Sequence, residues 1–291
     1  MFRALYLAML AGCAWLSAGC DPEGFPVTAQ HVQRGLRPTE PGASSPSYPV
    51  GTSLESFALP NGSFRVHFTR GGTHGVPESG TEPPTSVVAV AEVYEAALQH
   101  YIDNLGYRRP VSDRGEGGDD LIDVYMIDFG GRGDGAFVID ACEGPGGPCA
   151  GHIRHENDFR GYSYPSTRVA NRILSSHELF HAVQAAYTVG QTVVLTEGSA
   201  VWATENFDGE LADFEGFIDG YLTDTGRSLT FDGGVFDGFG YGTGVFFQFL
   251  AEWDHPDVIR ALWQARADSL ETKWLATLDE VLRERGRSFE E

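Results

Sequence analysis

Residues 166–187 read STRVANRILSSHELFHAVQAAY, which is the pattern of one long helix. Ser166 or Thr167 offers a side-chain oxygen to the first turn, as expected at a helix N-cap. The apolar residues follow one another at helical spacing: Val169, Ile173, Phe180 and Val183 form one stripe, and Leu174 lies next to it. A helix that is apolar on two sides is buried, so we expect this one to lie in the core of the domain.

The same helix carries two histidines four residues apart, His177 and His181, with Glu178 after the first. This is the HExxH pattern, and we call the helix the HExxH helix. Because an α-helix has 3.6 residues per turn, residues i and i+4 share a face, and both imidazoles can reach one metal ion. Glu178 points beside that face, where its carboxylate can hydrogen-bond a water held by the metal. Two hydrogen-bonded core histidines would show the same spacing, so the pair alone leaves both interpretations open.

A third ligand is present in the segment LTEGSAVWATE (195–205), sixteen residues beyond His181. We expect Glu197 in the first turn of a second helix, where the helix dipole would also stabilise a carboxylate without any metal ion. Two imidazoles and one carboxylate leave a fourth position for water, which is the arrangement of a catalytic zinc site rather than a structural one. The sequence therefore predicts a Zn²⁺ site of His177, His181 and Glu197, with Glu178 as the general base.

The segments SSHELFHAVQAAY (175–187) and LTEGSAVWATE (195–205) together resemble the gluzincin clan of zinc peptidases, whose second motif supplies a metal-binding glutamate. More narrowly, the pattern Glu-Gly-x-Ala-x-Trp is similar to that of exported metalloproteases of myxobacteria. The resemblance is strongest over residues 164–207 and implies hydrolysis of peptide bonds by a metal-activated water. The best-known members place an aspartate one turn after the ligand glutamate. Here that position is Val201, so either another residue orients the ligand histidine, with Glu205 as a candidate, or the site is tuned differently.

Peptidases of this clan stabilise the developing negative oxygen with a tyrosine or a histidine, so the resemblance also implies such a donor. Tyr241 is the first candidate, because it lies in the glycine-rich segment FGYGTG (239–244) that opens a later helix. Tyr187, at the end of the HExxH helix, is the second. An aromatic residue that closes the core would look the same in the sequence.

The charge of the chain limits its partners. Its 291 residues include 20 Lys and Arg against 41 Asp and Glu, which gives a net charge of −21. Such a charge repels phosphate backbones and anionic lipids, which excludes sequence-independent nucleic-acid binding and membrane-surface binding by the folded domain. We expect a monomer that acts on a protein or peptide substrate.

The N-terminus has the pattern of an export signal. Residues 1–20 read MFRALYLAMLAGCAWLSAGC, with one positive charge followed by apolar and then small residues. The end resembles the lipobox of bacterial lipoproteins, and both Cys13 and Cys20 fit. We favour Cys20 because it leaves a longer apolar region; an ordinary secretory signal is the alternative. Each version predicts an exported protein, either a cell-envelope lipoprotein or a secreted one, whose membrane contact is limited to a lipid anchor.

Two further pairs of residues lie just before the HExxH helix. Cys142 and Cys149 enclose a loop of glycine and proline, and in an oxidising compartment we expect them to form a disulfide rather than a metal site. His152 and His155 alternate on a short segment and could line a substrate cleft. We expect them to be surface residues, as most histidines outside sites are.

The remaining patterns predict an α+β fold. Residues 21–60, rich in Pro, Ser, Thr and Gly, have the composition of a linker, which places the folded domain at 61–291. In its first half, alternating residues predict a small sheet, backed by a long helix over 85–105. The second half is mainly helical and carries the HExxH helix, as in zincins, with further helices expected over 197–207, 211–222, 242–253, 256–267 and 272–285.

Two other functions fit the same residues. One is a catalytically inactive surface lipoprotein that keeps the zincin fold as a binding module, and the valine at position 201 favours it. The other is a zinc hydrolase acting on an amide other than protein.

Overall fold

The computed structural model describes residues 34–78, 80, 82–230, 238–268 and 273–289. The predicted export signal, its two cysteines and the first part of the predicted linker, up to residue 33, lie outside these residues. Within the described ranges, no helix has the length and apolar character needed to cross a bilayer.

The first half of the domain forms a five-stranded sheet. Its strands, in the order β1-β2-β3-β5-β4, are β1 (Glu55–Phe57), β2 (Phe64–Phe68), β3 (Ile122–Met126), β4 (Gly135–Cys142) and β5 (Cys149–His155). The three inner strands are parallel, and both edge strands are antiparallel to their neighbours. The Cys142–Cys149 disulfide joins the end of β4 to the start of β5, which confirms the predicted pairing.

Two long helices cover one face of the sheet. The first is α1 (Thr85–Gln99), which continues as a π-helical turn (His100–Asn104), and the second is α2 (Thr167–Ala185), the HExxH helix. Both helices contact the sheet and each other. The apolar face of β2 is buried beneath them, as its alternating pattern predicts. The core between these layers includes Phe64, Val66, Tyr94, Val124, Ile153, Leu179 and Phe180.

The second half of the domain is helical, which confirms the predicted α+β class. Its helices after α2 are α3 (Val193–Phe207), α4 (Ile218–Leu222), α5 (Gly238–Gly242), α6 (Gly244–Trp253), α7 (Asp257–Asp268) and α8 (Trp274–Glu284). The helix expected over 211–222 is instead a 3₁₀ turn (Phe214–Gly216) followed by the short α4. Large buried side chains, among them Trp202, Trp263 and Trp274, fill the space between these helices.

The outer face of the sheet is covered by residues 34–54, which we call the N-terminal strap. Arg154 on β5 donates hydrogen bonds to the carbonyl oxygens of Leu36, Ser44 and Pro46 in the strap. The hydroxyl of Tyr48 donates to the carbonyl oxygen of Met126, at 2.6 Å. The folded unit therefore begins well before residue 61, and this part of the chain is not a linker.

Arg37 of the strap is the main anchor on this face. Its buried guanidinium forms ion pairs with Asp113, Asp123 and Asp140. Asp140 also accepts a hydrogen bond from Nδ1 of His152, at 2.9 Å. One guanidinium thus pairs with three carboxylates beneath the strap.

His152 and His155 are both fully buried, so the expectation of surface residues is wrong. The reason is that β5 lies inside the sheet, where α2 covers one face and the strap covers the other. His155 faces the helices, with the hydroxyl of Tyr94 3.0 Å from its Nδ1 and Oδ1 of Asn171 3.1 Å from its Nε2.

Candidate metal centre

The HExxH helix places its two histidines side by side. Ser166 caps the helix by accepting a hydrogen bond from the backbone N–H of Val169, at 3.2 Å. Most of α2 is buried, as its apolar stripes predict. The ring centroids of His177 and His181 lie 4.8 Å apart, one turn from each other on the same face. Both rings therefore present a nitrogen to the same space.

Glu197 on α3 occupies that space. Its Oε2 lies 3.1 Å from Nε2 of His177 and 3.3 Å from Nε2 of His181. The donor atoms of these three residues all lie within 4.8 Å of one another, so the group could hold a metal ion. We call it the metal group. Glu197 lies in the second turn of α3 and not in its first, because Thr192 caps the helix four residues earlier than expected.

Gln184 links His181 to the helix that carries Glu197. Its Nε2 donates to the carbonyl oxygen of Thr196 at 2.8 Å and to Oγ of Ser199 at 3.1 Å. A carbonyl oxygen only accepts, so Oε1 of Gln184 is the atom that faces Nδ1 of His181, at 2.9 Å. His181 therefore carries a proton on Nδ1 and directs Nε2 to Glu197.

This arrangement calls for a positive charge inside the group. In neutral His181, Nε2 has a lone pair that faces the carboxylate oxygen of Glu197 at 3.3 Å. Two acceptors so close repel each other unless a proton or a metal ion lies between them. A metal ion binds to just such lone pairs, so the donor set fits a divalent cation.

The electrostatics of the group agree with this reading. Burial lowers the pKa of His181, but the Glu197 carboxylate outweighs that effect and raises the pKa to about 9. Burial dominates for His177 and lowers its pKa. The pKa of Glu197 lies well below its usual range, because the two histidines outweigh the burial that would raise it. Without a metal ion, the Glu197 carboxylate therefore favours the charged form of His181.

Glu178 lies on α2 directly after His177 and is 1% exposed. A Cβ atom at Gly135, the first residue of β4, would lie 2.8 Å from Oε1 of Glu178. Only glycine therefore lets the edge strand pass this close to the carboxylate. The start of β4 forms one wall beside the metal group.

Tyr241 lies on α5, next to His177 of the metal group. Its ring stacks on His177, with centroids 6.1 Å apart and planes at 16°, and on Phe217 at 5.0 Å. Gly198, next to Glu197, lets α3 lie close to α5 and α6, since a Cβ there would clash with Oγ1 of Thr243 and lie 2.8 Å from the ring of Phe247. The structure thus brings Tyr241 beside the ligand residues.

The structure does not bring the other two candidates to the metal group. The hydroxyl of Tyr187 accepts a hydrogen bond from the backbone N–H of Arg108, at 2.9 Å. Glu205 lies two turns after Glu197, where its carboxylate accepts a hydrogen bond from the backbone N–H of Asp213. The orienting role considered for Glu205 belongs instead to Gln184, whose position three residues after His181 is a signal that the sequence contains.

No protein-family model and no curated protein matches this chain. The functional conclusion therefore depends on the residues of the site and on their geometry. Chemistry-bearing residues from α2, α3 and α5, together with the edge strand β4, meet at one place in the fold.

Proposed function

We propose that this protein is a zinc-dependent peptidase of the gluzincin type. The observation that carries the proposal is the convergence of His177, His181 and Glu197, with donor atoms within 4.8 Å, next to the buried carboxylate of Glu178. Two imidazole nitrogens and one carboxylate oxygen are the protein ligands of many catalytic zinc sites. When bound, zinc supplies a Lewis acid that polarises a carbonyl group and lowers the pKa of a bound water to about 7.

The residues around the metal group have distinct roles in this proposal. Glu178 accepts a proton from the attacking water and then delivers it to the leaving amine. Tyr241 donates a hydrogen bond to the carbonyl oxygen as negative charge develops on it. The start of β4 lies at the sheet edge beside Glu178, where an extended peptide can pair with the strand backbone.

The proposal includes export of the protein. The Cys142–Cys149 disulfide is of the kind that persists in oxidising compartments. Labelling of intact cells with a radioactive fatty acid tests whether Cys20 is lipidated. Replacement of Cys20 by serine should abolish the label, and a label that depends on Cys13 instead would contradict the preferred register.

Glu178→Gln is the decisive variant, because it removes the proton acceptor and leaves the three ligands in place. We expect zinc content by elemental analysis to stay near one per chain and hydrolysis of unfolded casein to fall by at least about 10³-fold. Glu92→Gln, an exposed substitution on α1, is the matched control and should change neither value. Undiminished cleavage by a homogeneous Glu178→Gln sample would refute the proposal. A wild-type sample that binds zinc but cleaves no protein or peptide would favour a binding module or a hydrolase of other amides.

A further inference from the structure

Four carboxylates lie together beside the metal group, and we call them the acidic cluster: Asp134, Glu205, Asp213 and Glu215. Asp213 is only 9% exposed, Asp134 and Glu205 are half-buried, and Glu215 is exposed. The cluster therefore runs from solvent into the protein. Its members come from different parts of the chain: Asp134 from the turn before β4, Glu205 from helix α3, and Asp213 and Glu215 from the start of the 3₁₀ turn.

The cluster has no cation of its own in the part of the chain that the structure describes. Oδ2 of Asp213 and Oε2 of Glu205 are buried there without a hydrogen-bond partner. The guanidinium of Arg172, on α2, pairs instead with Asp208 at 2.7 Å and lies over the ring of Phe207. Negative charge in this cluster is thus left without compensation.

The pKa values follow from this lack of compensation. Burial, and then the charges of Asp134, Glu205 and Glu215, raise the pKa of Asp213 to about 8. Burial and the charge of Glu215 raise the pKa of Glu205 to about 7. Holding one buried and two half-buried carboxylates beside a fourth, exposed one costs free energy that a cation in their midst would recover.

The cluster adjoins the candidate catalytic residues. Asp134 directly precedes Gly135, whose backbone contacts Glu178. Glu205 follows Glu197 by eight residues, so it lies on the same face of α3, about 12 Å along the helix. The segment after Asp213 leads to Phe217, which stacks on Tyr241. A substrate residue next to the cut bond can therefore reach the cluster.

We propose that the acidic cluster is the subsite for a cationic substrate side chain, so that the enzyme cuts beside lysine or arginine. This inference rests on the proposed peptidase function. The buried, unpartnered oxygen of Asp213 is the atom that receives the ammonium or guanidinium group. A metal ion is not the occupant, because the carboxylates of the acidic cluster lie too far apart to bind one together. Among the described residues, only the metal group brings three His, Cys, Asp or Glu donor atoms close enough for that. An organic cation on a long side chain reaches carboxylates that are further apart.

The test begins with the zinc-loaded full chain and unfolded casein, whose cut bonds are mapped by mass spectrometry. Two quenched fluorescent peptides are then made from one mapped site, with lysine or methionine at the position beside the cut. We expect kcat/KM for the lysine peptide to exceed that for the methionine peptide by about tenfold or more. In Asp213→Asn this ratio should fall to about one, whereas in Glu252→Gln, an exposed control on α6, it should not change.

A second variant and a binding measurement distinguish a failure of the proposed subsite from a failure of the proposed peptidase function. Glu205→Gln should lower the same ratio, and it replaces Asp213→Asn if that variant does not fold by circular dichroism. Binding of both peptides to Glu178→Gln, measured by fluorescence anisotropy, reports on the subsite without catalysis. If the wild type cleaves nothing, the lysine peptide is instead a casein segment with a single lysine, and the methionine peptide is its variant. Tighter binding of the lysine peptide, lost in Asp213→Asn, then supports the subsite while the peptidase function fails alone.

Two results would overturn the subsite while leaving the peptidase function intact. The first is efficient cleavage with equal kcat/KM for the lysine and methionine peptides. The second is calcium binding, measured by isothermal titration, that is present in the wild type and absent in Asp213→Asn, since the cluster would then be a metal site.

Discussion

Replacement of Gln184 by methionine should weaken metal binding without touching any of the three ligands. The substitution keeps the length of the side chain and removes its hydrogen-bonding groups. His181 then loses the acceptor that fixes its tautomer and ring orientation. In the same variant α2 loses its two hydrogen bonds from Gln184 to the helix that carries Glu197.

The size of the effect follows from these contacts. Loss of the partner that orients a ligand histidine typically weakens metal binding about 10–100-fold, or about 1.4–2.7 kcal/mol. Gln184 is 4% exposed and makes three hydrogen bonds, each worth about 1 kcal/mol net. The burial of an apolar side chain offsets part of this loss, so we expect the free energy of unfolding to fall by about 2 kcal/mol.

The assay is competition for zinc with a chromophoric chelator at constant pH, combined with urea denaturation of the metal-free chain. Gln248→Met is the matched control, because Gln248 bonds only Glu252 within its own helix. Gln184→Glu separates the two roles: it keeps an acceptor for His181 but loses the donors to α3. It should therefore bind zinc at least as tightly as the wild type, yet unfold more easily. Zinc affinity in Gln184→Met within twofold of the wild type would refute this reasoning.

Three further predictions concern the rest of the fold. Arg37→Met removes the guanidinium that pairs with three buried carboxylates, so it should lower the free energy of unfolding by about 3–5 kcal/mol. Arg114→Met, at an exposed ion pair, is the control and should change that free energy by under about 1 kcal/mol. Urea denaturation measures both values. Asp213 has a pKa raised to about 8 in the fold, so the folded state binds more protons than the unfolded state above about pH 4, and stability falls as pH rises to 8. In Asp213→Asn that fall should be shallower by up to about 1.4 kcal/mol per pH unit, and equal slopes in both proteins would contradict the raised pKa. Gly135→Ala brings a methyl group against Leu174 and to within 2.8 Å of Glu178. Casein hydrolysis should therefore fall by at least about tenfold while the zinc content stays unchanged.

The parts of the site that the sequence predicts are those fixed by local geometry. The i, i+4 spacing alone places His177 and His181 on one face of α2, and the side-chain cap at Ser166 is likewise a local signal. Glu197 could be named because a catalytic zinc site needs a third ligand. The prediction that Glu197 lies in the first turn of its helix was wrong, because α3 begins one turn earlier, with Thr192 as its cap and two valines after it.

The features that the sequence analysis missed depend on contacts between distant residues. The strap has the composition of a linker, and it is held on the sheet by Arg37, Tyr48 and Arg154, through residues more than 70 positions apart in the chain. The burial of His152 depends on β5 lying inside the sheet, which its short, glycine-containing pattern does not reveal. Gln184 was overlooked because the resemblance directs the search to position 201 on α3, where Val201 packs against Gly244.

The distribution of buried charge separates structural from functional carboxylates in this protein. Beneath the strap, three aspartates are compensated by Arg37, a cation that the chain itself supplies. At the metal group and the acidic cluster, the described residues supply Glu197 only with histidines that can lose their protons, and they supply Asp213 with no cation. A buried carboxylate without a fixed cation is compensated by a proton, held by itself or by a neighbour, and a cation from outside can take the place of that proton. For Glu197 we infer a divalent metal ion, and for Asp213 the side chain of a substrate.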